Sequence, residues 1–143
     1  MSRVARSARV ASRQRVETIT SDKVIGQAES GELYLIDAGG QLDITLPTPQ
    51  AGSYFKFILS DTAAGGIGIT GSSSNLFIGY VKQIVGPPAG SSGATVTDPA
   101  NGSSEYKLEI GSGAVEGGYV EFYSDGTKWY LSGEVSGAAA TIS

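Results

Sequence analysis

Apolar residues recur at every second position in short runs, and each run is cut off by glycine, proline or small polar residues. A period of two puts the apolar residues on one face of an extended strand and cannot build the stripe that a helix buries. The clearest run is Leu42-Asp43-Ile44-Thr45-Leu46, with Leu42, Ile44 and Leu46 on one face. Pro47 and Pro49 end it, because proline has no N–H to give a strand ladder. Val16 to Thr20 alternates in the same way. Tyr54 to Leu59 puts Phe55, Phe57 and Leu59 on one face and Tyr54, Lys56 and Ile58 on the other. Further strands are expected at Leu33–Asp37, Ile67–Thr70, Leu76–Val81, Tyr106–Ile110, Tyr119–Ser124 and Lys128–Ser132. Asp125-Gly126 joins the last two, a strong hairpin signal. Ala38-Gly39-Gly40-Gln41 also has the length of a hairpin turn.

Composition agrees. Among 143 residues there are 21 Gly, 19 Ser and 10 Thr, and only 17% are charged, which suits strands and turns. Residues 86–104 are rich in Gly, Pro, Ser and Asn, which predicts a surface loop, with room for a short strand at Ala94–Thr97. Nine or ten strands, no strong interior helix and no fixed-period repeat predict an all-β fold. The expected architecture is an antiparallel sandwich or jelly-roll-like barrel over residues 16–143, preceded by an extended basic N-terminal arm over 1–15.

The formal charge of −4 hides an asymmetry. Residues 1–15 carry Arg3, Arg6, Arg9, Arg13 and Arg15 and no acid, a side-chain charge of +5. The rest holds five Lys against all 14 acids, a net of −9. Such a body repels nucleic acid and anionic membrane, and only the arm would attract them. Extended, the arm reaches roughly 50 Å, far enough to lie on a neighbouring molecule. Arginine interrupts residues 1–15 too often for the apolar core of a secretory signal, and no run has the length of a membrane span.

The chain contains neither Cys nor His. Disulfides, thiol nucleophiles, Cys/His zinc sites and His general bases are therefore excluded. Gly66-Ile67-Gly68-Ile69-Thr70-Gly71 has the spacing of a dinucleotide loop, but no helix pattern follows to point its N-terminus at a phosphate. The pairs Glu105/Glu109 and Asp37/Asp43 fall at alternating positions, as the acids of a solvated strand face do. No catalytic set, metal or cofactor is expected.

Several strands are apolar on both faces. A two-layer fold covers one face of each sheet, so the surplus predicts a subunit interface, with Tyr34, Ile36, Tyr119 and Tyr123 as its residues.

Two stretches carry a family resemblance. Residues 35–57, LIDAGGQLDITLPTPQAGSYFKF, resemble the "(I/L)DA-x-G…(I/V)TLP-x-P-x-AG…(F/Y)-x-F" run of small β-rich virion proteins of tailed bacteriophages. Residues 120–131, VEFYSDGTKWYL, are similar to the "SDGT-(N/K)-WY" ending common in phage structural proteins. Among such parts, capsid decoration (cement) proteins match the size. The resemblance implies a non-enzymatic β domain, often trimeric, that sits on the outer capsid surface of a particle assembled in the host cytoplasm. There it would clamp neighbouring capsomers. Its partners would be the major capsid protein and further copies of itself, with the five arginines of the arm docking on capsid protein. The alternative is a tail, fibre or baseplate component that binds a receptor or glycan through the 86–104 loop.

Overall fold

A computed structural model of the chain describes residues 14–85, 93–96 and 99–143. Arg3, Arg6, Arg9 and Arg13 of the arm, and residues 86–92 and 97–98 of the expected loop, lie outside the described residues. Among the described residues strands hold 49% and helix 3%, so the fold is all-β.

The strands are β1 (Val16–Ile19), β2 (Lys23–Val24), β3 (Leu33–Ile36), β4 (Leu42–Thr45), β5 (Tyr54–Leu59), β6 (Ile67–Thr70), β7 (Phe77–Val85), β8 (Gly93–Val96), β9 (Ala100–Asn101), β10 (Lys107–Ile110), β11 (Tyr119–Ser124), β12 (Trp129–Ser136) and β13 (Ala140–Ile142). A 3-10 turn, Gln27–Glu29, separates β2 from β3. Eight strands form one sheet in the order β1-β3-β5-β11-β12-β7-β8, with β9 also on β7. Five form the other, in the order β13-β10-β6-β4-β2.

The expectation of antiparallel sheets does not hold, because both sheets are mixed. From β1 to β7 the chain changes sheet at every strand, so β1, β3 and β5 pair in parallel in one sheet and β2, β4 and β6 in the other. The first half of the protein is thus a coil of three rungs. Ala38-Gly39-Gly40-Gln41 is accordingly not a hairpin: it is the corner where the chain crosses from β3 to β4 in the opposite sheet. The corner of the next rung stacks on it, with the Ala64 N–H donating to the Ala38 carbonyl at 2.9 Å. A Cβ on Gly65 would lie 2.1 Å from the Gly40 carbonyl carbon, so only glycine allows that approach. Stacked partners lie 17 residues apart from Val16 to Leu33, 23 from Leu33 to Lys56, 21 from Lys23 to Ile44 and 25 from Leu42 to Ile67. Unequal rungs leave no constant period to find in the sequence.

The strand β11 covers the last rung in the large sheet and β10 covers it in the small one, both antiparallel. The β11–β12 hairpin forms where Asp125-Gly126 predicts it, with a four-residue loop between Ser124 and Trp129. β7 and β12 run further than their sequence runs suggest, because they pair in parallel over eight positions.

The inner faces of both sheets feed one hydrophobic cluster. The small sheet contributes the rows Leu42-Ile67-Ile110-Ala140 and Ile44-Ile69-Leu108-Ile142. The large sheet contributes Tyr34-Phe57-Val120 and Phe55-Phe122-Leu131. Phe122 meets Phe57, Phe77 and Trp129 at centroid distances of 5.9, 5.3 and 6.5 Å. Each such buried side chain contributes about 1.5–3 kcal/mol. Among the described residues no helix is long and apolar enough to cross a membrane.

Candidate interaction surface

Strand parity decides which predicted interface residues face outward. Tyr34 and Ile36 do not: they are 0% and 1% exposed and belong to the core. Tyr34 stacks on Phe57 with centroids 5.3 Å apart, and its hydroxyl donates to Glu29 Oε1 at 3.3 Å, so the ring is buried with its polar end satisfied. Burial and the neighbouring carboxylates raise its pKa well above the tyrosine range. Leu33 and Leu35 take the outward positions of β3 and are half-buried.

Tyr119 and Tyr123 do lie on the outer face of the large sheet, and the register brings further tyrosines beside them. Tyr54, Tyr123 and Tyr130 form one row across β5, β11 and β12, continued by Ile78 on β7. The next rows are Lys56-Glu121-Ser132-Tyr80 and Ile58-Tyr119-Glu134-Lys82. Tyr80, Tyr123 and Tyr130 remain 52%, 47% and 42% exposed. A shallow cleft of about 250 Å³, lined in part by Glu116 and Ser136, shares Tyr119 and Glu134 with this face.

The charges on the face are matched in place. Lys56 pairs with Glu121 at 3.2 Å, and its Nζ lies 5.0 Å from the Tyr119 ring centroid. Lys82 pairs with Glu134 at 3.7 Å. The Glu121 hydrogen bond holds the Lys56 pKa above its usual value. The Tyr123 hydroxyl donates to Glu121 at 3.3 Å and that of Tyr130 to Asp125 at 3.1 Å. Burial, then Glu121, raises the Tyr123 pKa, and the hydrogen bond to Asp125 raises that of Tyr130. The result is a neutral, amphipathic surface of exposed rings, of the kind enriched at protein interfaces. Tyr54, Tyr80 and Tyr130 were not singled out from sequence. The Asp125-Gly126 turn was the available signal for Tyr130, since it sets the pairing of Tyr130 with Tyr123.

A second polar group sits at the start of the coil. Lys23 Nζ meets Glu17 Oε1 at 2.9 Å and Glu29 Oε1 at 2.8 Å. The hydrogen bonds to Glu17 and then Glu29 raise the Lys23 pKa. Burial pushes Glu29 up, but Lys23, the Gly26 N–H and Tyr34 outweigh it and leave its pKa lowered. Arg15, the one arm arginine among the described residues, reaches Glu32 Oε1 at 3.4 Å, and its carbonyl accepts the Leu33 N–H at 2.9 Å. Among the described residues, one group of carboxylates is spaced closely enough to share a metal ion: Glu17, Glu29 and Glu32, with oxygens within 4.8 Å of one another. Asp43 and Glu109 flank Gly68 on the outer face of the small sheet and are exposed. No protein-family model and no curated protein matches the sequence.

Proposed function

We propose that the chain is a non-enzymatic structural part of a tailed-phage particle, a decoration (cement) protein on the outer capsid surface. It stabilises contacts between capsomers as a self-associated unit, with a trimer favoured, and its Arg-rich arm docks on the major capsid protein. The observation that carries this reading is the outer face of the large sheet. Tyr54, Tyr80, Tyr119, Tyr123 and Tyr130 gather there with all four lysine and glutamate charges paired. A neutral ring-rich face suits burial against another protein, whereas the cationic arm suits an acidic one. Single surface ion pairs contribute about 0–1 kcal/mol; several per copy in an oligomer add through avidity.

The test separates the two surfaces. Deleting residues 1–13 spares Arg15 and its contacts with Glu32 and Leu33. The truncated chain should fold and self-associate but fail to bind capsid shells. Undiminished shell binding would remove the arm from the proposal. Copy number in purified particles places the part: hundreds per particle fit a decoration protein. Units or tens would favour a tail, fibre or baseplate component.

A further inference from the structure

Away from the interaction surface, a group of charges gathers at the outer edge of the first rung. Glu17 comes from β1, Glu29 from the 3-10 turn and Glu32 from the residue before β3. One carboxylate oxygen of each lies within 4.8 Å of the other two. Oxygens bound to one Ca²⁺ at about 2.3–2.6 Å are separated by no more than about 5 Å, so the spacing suits a shared ion.

The side chains present do not satisfy all three acids. Lys23 serves Glu17 and Glu29. Glu32 has Arg15, whose side chain is 77% exposed and reaches Oε1 at 3.4 Å. Glu32 itself is 8% exposed and lies beside the Tyr34 hydroxyl, which donates to Glu29, and its Oε2 is buried with no hydrogen-bond partner. An oxygen held in that state is costly, and a hard cation satisfies it without needing a donor hydrogen. With oxygen ligands only, and neither His nor Cys in the chain, the set suits Ca²⁺ better than zinc or copper.

We propose that Glu17, Glu29 and Glu32 form a divalent-cation site of the Ca²⁺ class, with Lys23 as the resident counter-charge that the metal displaces. The lysine ammonium is carried on a flexible four-carbon stem and can move to solvent. The far end of the coil is covered by β10 and β11 of the same chain. The ion would tie β1, the 3-10 turn and the start of β3 together at the near end, stabilising the folded state by mass action.

Terbium is the probe, because the Tyr34 hydroxyl lies 3.3 Å from Glu29 Oε1 and its ring can sensitise a lanthanide held there. Titrating Tb³⁺ into the full chain should give saturable tyrosine-excited emission that Ca²⁺ reverses. Glu32→Gln should weaken Ca²⁺ binding at least tenfold, measured by calorimetry. Tyr34→Phe should remove most of the emission while Ca²⁺ binding persists. Lys23→Met should bind Ca²⁺ more tightly, and Ca²⁺ should raise the Tm of the unmodified protein more than that of Glu32→Gln. Circular dichroism identifies any variant that fails to fold, and Glu17→Gln then takes its place. Absence of Ca²⁺ and Tb³⁺ binding to the unmodified chain overturns the proposal. So does binding that Glu32→Gln and Glu17→Gln leave unchanged, or emission that Tyr34→Phe leaves unchanged.

Discussion

Tyr54 and Tyr123 face each other across β5 and β11 with ring centroids 4.9 Å apart and planes 27° from parallel. The pair sits on the outer face of the large sheet, so it links the stability of the sheet to the surface proposed for self-association. A double-mutant cycle with Tyr54→Ala and Tyr123→Ala should give a coupling of about 0.5–1.5 kcal/mol by denaturant melts. Tyr123→Glu should leave a folded chain, since the side chain is 47% exposed, but lower the molar mass measured by light scattering. An unchanged mass would place the subunit interface elsewhere.

Gly79 lies inside β7 at φ +132°, and a Cβ there would fall 2.0 Å from the Leu131 carbonyl oxygen. Gly79→Ala therefore adds backbone strain and breaks the β7–β12 ladder. We expect a loss of at least about 2 kcal/mol. Gly31→Ala is the control: φ is +91° but no atom lies within 4 Å, so only the strain remains. Equal losses at the two positions would show that the contact with Leu131 is not what requires glycine.

The core makes a contrasting prediction at neighbouring aromatics. Phe122→Ala removes contacts to three rings and should cost about 3–5 kcal/mol. Trp129 is fully buried and its Nε1 has no hydrogen-bond partner. Trp129→Phe loses volume but also removes an unsatisfied donor, which costs about 1–3 kcal/mol when buried. Its measured loss should therefore be well below that of Phe122→Ala in the same urea series.

Asp125 controls acid sensitivity at the hairpin. Its Oδ1 accepts the Lys128 and Thr127 N–H groups, each at 2.8 Å, and these bonds hold the carboxyl well below the usual carboxylate range. A depressed folded pKa means that the unfolded chain takes up the proton first. The stability it contributes is complete above the ordinary value of 3.8 and is lost as pH falls through the folded pKa. Asp125→Asn should flatten the acid limb of the stability profile between about pH 4 and 2. An unaltered limb would assign that sensitivity to other carboxylates.

The strands were legible because period-two alternation survives in a single sequence. Leu42, Ile44 and Leu46 sit on the inner face as their spacing requires, and so do Phe55, Phe57 and Leu59. β2, β9 and β13 were not legible, since two or three residues cannot carry a period. Their pairing comes from β4, β7 and β10. The cluster at Glu17, Lys23, Glu29 and Glu32 was hidden for a related reason: coil stacking and one 3-10 turn bring together residues with no common spacing.

What the residues determine by themselves is local: extended backbone, the face each strand can bury, where proline ends a strand, and the hairpin at Asp125-Gly126. Both faces of β3 are apolar, so alternation alone could not choose between Tyr34/Ile36 and Leu33/Leu35 for the core. Only the tertiary structure chose. Parallel stacking of β3 on β5 sets Tyr34 against Phe57 and puts Glu29 within reach of its hydroxyl, and the outward face passes to Leu33 and Leu35. The sheet partner of each strand was likewise decided over distance. A crossover and a hairpin can use the same four residues, and their difference lies in which rung packs against them.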